Sequence, residues 1–576
     1  MSFMETYEKW LNSPALSAEE KAELESIKND PKEIESRFFG PLEFGTAGLR
    51  GTMCVGLHHM NRHVVGHATQ AFAEVVKAEG PEACEKGVAI SCDSRNHSQE
   101  FAEEAAAVLA ANGIKVKLYD ELRPTPELSF AVREYGCQAG INITASHNPK
   151  EYNGYKVYWS DGAQLPPGPA DVVAAKMKEL DVFDDVKIMD LDEAKAKGLV
   201  TIIGPETDEK FLENVMGQVI DRESVAKVAD TFGIVYTPFH GTGHKLIPEA
   251  LKRLGMKKVY CVPEQMVIDG NFPTVASPNP ENPEGFYLAV DLAKKHGCDL
   301  IVGSDPDADR VGVMVKNSAG EYVVLTGNQT GILLEDYAIQ ARKRAGTLPA
   351  NAYANTTIVS SAMATKVAEA NGVKCARTFT GFKFLGEKKD KLEQSGEGQV
   401  IFSFEESCGY MFGDYVRDKD AVTAIVIVVE MAAYYATQGK TLYDALMDCY
   451  AKYGYYAEKT MNLVMPGLDG MTKMADIMAK LHAKPLTEVA GTKVVVAKDY
   501  QTGTSTCMEC GKVEQMELSG SNVVAYDLED GTTFIIRPSG TEPKIKVYIL
   551  TSGATKEECD AKVAKYADYA PAIKEL

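Results

Sequence analysis

The strongest constraint on this chain is a recurring alternation of short apolar runs with longer stretches of helical period. The runs include Val88–Cys92, Lys115–Tyr119, Gly233–Thr237, Lys258–Val262, Asp299–Gly303, Thr356–Val359 and Val400–Phe404. Between them lie stretches such as Ser98–Gly113 and Glu284–Gly297, whose apolar residues recur at helical spacing. Strand–helix–strand alternation with apolar strands predicts parallel α/β sheets. In such sheets ligands bind in loops beyond the carboxyl ends of the strands. The chemically loaded segments of this chain follow its apolar runs.

The alternation restarts near residues 205, 326 and 455. The last stretch differs: Val523–Pro538 reads as a hairpin around Glu529-Asp530-Gly531, Lys544–Leu550 as a further strand, and a helix starts at Lys556. The expected fold class is therefore α/β, with three consecutive α/β domains (1–204, 205–325 and 326–455) built on mixed, mainly parallel sheets. A smaller α+β domain (456–576) completes it. Residues 1–40 read as one or two amphipathic helices punctuated by Pro31, an arm on the first domain. The length of 576 residues agrees with about three or four domains.

Formal net charge is -21, which argues against broad nucleic-acid binding. The N-terminal segment is polar, and the apolar stretch Ala421–Ala436 reads as a buried helix, so neither a signal peptide nor a membrane span is expected. The 12 cysteines form no framework, which points to a reduced, cytoplasmic setting with mostly free thiols. Cys507 and Cys510 have CxxC spacing but no second pair or nearby histidine, and read as two thiols in a loop.

Five segments carry chemistry. Thr144-Ala145-Ser146-His147-Asn148-Pro149-Lys150 follows an apolar run and offers a serine with a histidine beside it to manage a proton. Lys156 lies ten residues on, in a strand-like run that can project toward the same place. Ser304-Asp305-Pro306-Asp307-Ala308-Asp309-Arg310 places three carboxylates at alternate positions, a hard oxygen set suited to magnesium or calcium. The EF-hand spacing is absent. Thr380-Gly381-Phe382-Lys383 and Phe404-Glu405-Glu406-Ser407-Cys408-Gly409-Tyr410 offer groups for sugar hydroxyls. Arg537-Pro538-Ser539-Gly540-Thr541-Glu542-Pro543-Lys544 combines a guanidinium, hydroxyls and glycine-exposed N–H groups, which is phosphate-cradle chemistry.

Taken together and in order, these segments resemble the α-D-phosphohexomutase family, in its phosphoglucomutase/phosphomannomutase branch. Phe44-Gly45-Thr46-Ala47-Gly48-Leu49-Arg50-Gly51 is similar to the family's N-terminal signature. The resemblance covers nearly the whole chain. It implies four domains around a central cleft, a phosphorylated Ser146, and Mg2+ held by Asp305, Asp307, Asp309 and that phosphoserine. Arg50, His147, Lys156 and Arg310 would act at the chemical step. Thr46, Lys383, Glu405, Ser407, Lys419, Arg537, Ser539, Gly540, Thr541 and Lys544 would bind the substrate. The implied reaction moves a phosphate between C1 and C6 of a hexose, with glucose 1,6-bisphosphate as intermediate. Glucose is the expected sugar; mannose or a pentose is the alternative. A catalytically silent sugar-phosphate scaffold would be expected to lack Ser146 or part of the aspartate set, and both are intact. Arg50, Lys156, Arg310, Lys383, Lys419, Arg537 and Lys544 would make an acidic protein locally basic where an anionic substrate binds. The expected partner is a small sugar phosphate, with no nucleic acid and no membrane, on a monomer or small homo-oligomer. Two departures bear on substrate choice. The sugar loop reads Phe-Glu-Glu-Ser-Cys-Gly where Gly-Glu-x-Ser-Gly-His is commoner, and the stretch 456–515 is longer than in compact members.

Overall fold

The computed structural model describes residues 2–45, 48–465, 469–540 and 543–576. The chain forms two compact units. One runs to Val324 and takes back Gly409–Gly439; the other comprises Leu325–Cys408 and Lys440–Leu576.

The first unit holds two sheets. The first has β1 (Leu49–Thr52), β2 (Val88–Cys92), β3 (Val116–Tyr119), β4 (Ala139–Ile143), β5 (Tyr152–Trp159) and β6 (Val200–Ile203), in the order β1-β5-β4-β2-β3-β6. Neighbouring strands β4, β2, β3 and β6 are parallel, while β5 runs against both of its neighbours. The second has β7 (Gly233–Thr237), β8 (Lys258–Cys261), β9 (Leu300–Ser304), β10 (Val311–Lys316) and β11 (Tyr322–Leu325), in the order β11-β10-β9-β7-β8. Here β9, β7 and β8 are parallel and β10 is antiparallel to β9. Strands β2, β4 and β9 are buried along their whole length, which is why they read as near-continuous apolar runs. Helix Ala421–Ala436 is buried from Ala421 to Ala433 and belongs to this unit.

The N-terminal segment forms three helices, Phe3–Leu11, Ala18–Ser26 and Pro31–Phe38, rather than one or two. Pro31 does not merely punctuate. It opens the third helix at its first turn, where a missing N–H is harmless, under an Asp30 cap. Tyr7, Trp10, Ile34 and Phe38 join the core of the first sheet.

In the second unit, β12 (Ala352–Thr357), β13 (Lys374–Thr378) and β14 (Gln399–Glu405) form a parallel set in the order β13-β12-β14. Strand β12 begins four residues before the expected Thr356 start. Ile358 and Val359 lie beyond it because they pack against Tyr500, Val523 and Ala525. The short β15 (Gly409–Met411) lies back in the first unit, where Gly409 bridges Arg310.

The C-terminal sheet has β16 (Tyr455–Val464), β17 (Glu488–Val489), β18 (Thr492–Asp499), β19 (Thr504–Cys507), β20 (Val513–Gln515), β21 (Val524–Leu528), β22 (Thr533–Pro538) and β23 (Lys544–Gly553). Its order is β16-β23-β22-β21-β18-β19-β20, with β17 beside β18, and its strands pair antiparallel. Helix Lys556–Tyr569 packs on β16 and β23. The chain is thus α/β in its first three sheets and α+β in its last. Among the described residues no helix is long and apolar enough to cross a membrane.

Candidate active site

Ser146 lies in the loop that leaves β4. It is 3% exposed and has φ +52°, left-handed backbone. That conformation costs a residue with a β-carbon about 1–2 kcal/mol, so the loop must be held from outside. Arg95, in the loop after β2, holds it. Its Nη1 donates to the carbonyls of Pro149 (2.9 Å) and Tyr152 (3.1 Å), and its Nη2 to those of Asn148 (2.6 Å) and Ser146. Its Nε donates to Asp93 Oδ2 at 3.1 Å. Asp93 in turn accepts from Thr144 Oγ1 (2.6 Å) and Ser98 Oγ (2.8 Å).

Within the loop, the Ser146 N–H donates to Thr144 Oγ1 at 2.8 Å. Ser146 Oγ donates to Asp305 Oδ2 at 2.8 Å and lies 3.1 Å from His147 Nδ1. Burial, then the charges of Arg310 and Arg50, hold the His147 imidazole well below its usual range, so it is neutral at neutral pH. Arg50 on β1 reaches Asn148 Oδ1 with Nη1 at 3.4 Å. It stands opposite Gly154 in the β1–β5 register. A β-carbon at Gly154 would meet the Thr144 carbonyl oxygen at 2.5 Å, so glycine is what lets the serine loop lie this close.

Asp305, Asp307 and Asp309 follow β9. All three are buried, and each offers an oxygen within 4.8 Å of the others, the one such group of three among the described residues. Asp305 Oδ1 accepts the backbone N–H groups of Asp309 (3.1 Å) and Arg310 (3.0 Å). Asp307 Oδ2 accepts from Thr125 Oγ1 and Lys156 Nζ, both at 2.7 Å. Asp309 Oδ2 receives Lys156 Nζ at 3.3 Å and Lys419 Nζ at 3.2 Å. Lys156 is brought there by β5, where it pairs with Asn142, whose Nδ2 donates to Thr125 Oγ1 at 2.6 Å. Arg310 Nη1 pairs with Glu281 at 3.3 Å.

Burial and the two neighbouring carboxylates push Asp305 well above the usual carboxylate range. Burial opposes ionisation of Asp307 and Asp309 as well, yet the Lys156 ammonium holds Asp307, and Lys419 with Lys156 holds Asp309, below that range. Three carboxylates thus face two lysines and Arg310, whose Nε lies 3.8 Å from Asp309 Oδ1. Asp307 Oδ1 and Asp309 Oδ1 are buried with no hydrogen-bond partner. Orphaned anionic oxygens in a hard donor set fit a divalent cation such as Mg2+.

The remaining candidates lie in the second unit. Glu405 ends β14 and accepts from Ser407 Oγ at 3.0 Å. Glu406 accepts from Thr357 Oγ1 and Ser360 Oγ, both at 3.2 Å, and burial with Glu405 beside it raises its carboxyl. Arg537, on β22, donates from Nη1 to the Tyr548 hydroxyl at 3.4 Å. The Ser539 N–H, next to Gly540, donates to the Lys544 carbonyl at 2.8 Å. Lys383 is in the first turn of helix Phe382–Gln394, after Gly381 at φ +122°, and burial lowers its ammonium. Thr46 and Thr541 lie outside the described residues.

Four family descriptions match in succession: phosphoglucomutase/phosphomannomutase α/β/α domain I over residues 41–182, domain II over 209–320, domain III over 326–453, and the C-terminal domain over 462–565. The chain belongs to the phosphoglucomutase/phosphomannomutase family. The chain is 36% identical over 526 residues to the phosphoglucomutase of Staphylococcus aureus strain N315, covering 90% of this chain and 91% of that one. Its fold is shared with the Paramecium phosphoglucomutase parafusin (TM-score 0.67, 18% identity, 93% and 95% of the two chains). A phosphoglucomutase/phosphomannomutase family protein of Burkholderia thailandensis is also similar (TM-score 0.65, 17% identity, 94% and 98%). As a member of this phosphohexomutase family, the protein is a mutase enzyme.

Two features stand out against the family frame. Cys408, at the commoner pattern's second glycine, is buried and has φ +61°, so a cysteine carries a conformation that suits glycine. The Arg95–Asp93 clamp, with Thr125 and Asn142, was not singled out in the sequence. Its one signal was Asp93-Ser94-Arg95 directly after the apolar run Val88–Cys92.

Proposed function

We propose that the protein interconverts glucose 1-phosphate and glucose 6-phosphate through a phosphorylated Ser146 and a glucose 1,6-bisphosphate intermediate. The observation that carries this reading is the Ser146 hydroxyl, buried on a strained turn and bonded directly to the aspartate cluster. The relatives' activity and the intact loops support it. Asp305, Asp307, Asp309 and the phosphoserine oxygens would hold Mg2+. When bound, that ion supplies positive charge beside the transferring phosphoryl group.

In the forward half-reaction the P–Oγ bond of phosphoserine breaks and a bond forms from phosphorus to the free C1 or C6 hydroxyl oxygen. The sugar hydroxyl loses its proton, and Ser146 Oγ regains one. In the return half-reaction Ser146 Oγ attacks the other phosphate of the bisphosphate. Neutral His147 Nδ1 is then within reach of the serine proton. Lys156, Arg50 and Arg310 offset charge on the moving group. Arg537, Ser539, Gly540, Thr541 and Lys544 would grip the phosphate that is not reacting, and Lys383, Glu405 and Ser407 the ring. The reading also takes the protein to work in the cytoplasm on a small sugar phosphate.

The test is a coupled assay of glucose 1-phosphate conversion with catalytic glucose 1,6-bisphosphate. No conversion, or a higher kcat/KM for mannose 1-phosphate, overturns the substrate assignment. Within this reading Glu405→Gln leaves a ring hydroxyl imperfectly paired. The cost is about 1–3 kcal/mol, so the glucose-to-mannose ratio of kcat/KM should change by roughly ten- to a hundredfold. An unchanged ratio removes Glu405 from sugar selection.

Arg95 should matter without touching substrate. Arg95→Lys keeps one charge but cannot serve four carbonyls and Asp93 at once. The serine would lose its set position, and kcat should fall by about 10²-fold with KM little changed. Rates equal to wild type would reduce the clamp to a structural detail.

A further inference from the structure

The CxxC pair plays no part in the mutase site, yet the hairpin around it is built. Strands β19 and β20 pair from Thr504↔Gln515 to Thr506↔Val513. Cys507 closes the hairpin, donating its N–H to the Lys512 carbonyl and accepting the Gly511 N–H on its own carbonyl, both at 2.9 Å. Gly511 takes φ +72°, the left-handed turn that lets the chain double back directly after Cys510. The tip is tied down by the Met508 N–H, which donates to the Val495 carbonyl at 3.0 Å, while the Met508 side chain packs on the sheet's core. Cys507 is half-buried and Cys510 exposed, and neither is in a disulfide.

The decisive contact is the Cys510 backbone N–H, which points at Cys507 Sγ at 3.5 Å. A thiol or disulfide sulfur is a weak acceptor, whereas a thiolate keeps its charge and its lone pairs, including when it binds a soft metal. Two thiolates presented by one tight turn supply half of the tetrahedral set that a soft divalent ion takes. No third histidine, cysteine, aspartate or glutamate joins them in a cluster among the described residues. The missing half must come from outside this hairpin. The tip stands at the outer end of the sheet, next to β20, whose residues Val513–Gln515 are all exposed.

We propose that Cys507 and Cys510 form a surface dithiolate site for a soft divalent cation such as Zn2+, completed by the same pair of a second copy of this chain. One ion would thus be held by four thiolates and would join two chains.

The experiment uses full-length, reduced, metal-stripped protein in magnesium buffer, titrated with Co2+ alone. We expect a thiolate-to-cobalt charge-transfer band that saturates at one ion per two chains, with the sedimenting mass doubling in step. The double variant Cys507→Ser/Cys510→Ser should lose both signals and keep wild-type mutase turnover. No band in the wild type, a band that survives in the double variant, or saturation at one ion per chain without doubling each overturns the proposal. Intrachain disulfide formation in air by protein that shows no cobalt band also overturns it.

Discussion

Ser146→Ala should lose at least ~10⁴-fold in mutase turnover, as nucleophile deletions do in other covalent mechanisms. The argument rests on what the substitution leaves untouched. Arg95 holds the loop through the backbone carbonyls of Ser146, Asn148, Pro149 and Tyr152, and the Ser146 N–H still reaches Thr144. The left-handed turn therefore survives the loss of the hydroxyl, and the folded state should melt close to wild type. Only Oγ disappears, along with its bond to Asp305. Intact-mass measurement should find the phosphoryl group on part of the wild-type protein and on none of the variant, with peptide mapping placing it on Ser146. A variant that retains full turnover, or phosphate mapped elsewhere, would remove the covalent mechanism.

The second large effect concerns charge. Chelation should abolish turnover and magnesium restore it, and Asp307→Asn should cost about 10²–10³-fold, the scale of losing one well-placed electrostatic group. Asp307 is informative because its two oxygens have different duties. Oδ2 serves Thr125 and Lys156, whereas Oδ1 is buried without a partner. Asparagine removes the charge that Lys156 holds ionised in the folded protein, so without metal the variant should be less stable than wild type. With magnesium the gap should widen. An ion at 100 times its dissociation constant stabilises the folded state by about 2.7 kcal/mol, and that gain should appear in wild type and be lost in the variant. Melting curves with and without magnesium read this independently of activity. Full activity in chelator, or equal magnesium shifts for both proteins, would count against the aspartate cluster as the metal site.

These expectations draw on very different amounts of sequence. The serine and aspartate loops could be found because each is short, contiguous and placed after a strand whose burial makes it apolar. The same holds for β2, β7 and β14, and for the Ala421–Ala436 helix, whose burial matches its uniform hydrophobicity. Other elements were hidden by tertiary packing. Strand β12 carries Asn355, Thr356 and Thr357 in a buried sheet, so apolar content marked Ile358 and Val359 instead. Strand β16 is half polar and pairs with β23 over its length, a partner roughly ninety residues away that no local pattern shows.

The sequence by itself determined the fold class, the order of the chemical loops and the family, because these follow from local periodicity and contiguous motifs. Only the tertiary structure decided which groups meet. Arg95 grips carbonyls about fifty residues downstream, Thr125 and Lys156 converge on Asp307 from more than 150 residues away, and Lys419 reaches Asp309. Buried charges must be paired whatever their distance along the chain. The partner that satisfies each one is therefore fixed by sheet order and strand register, and periodicity carries no record of it.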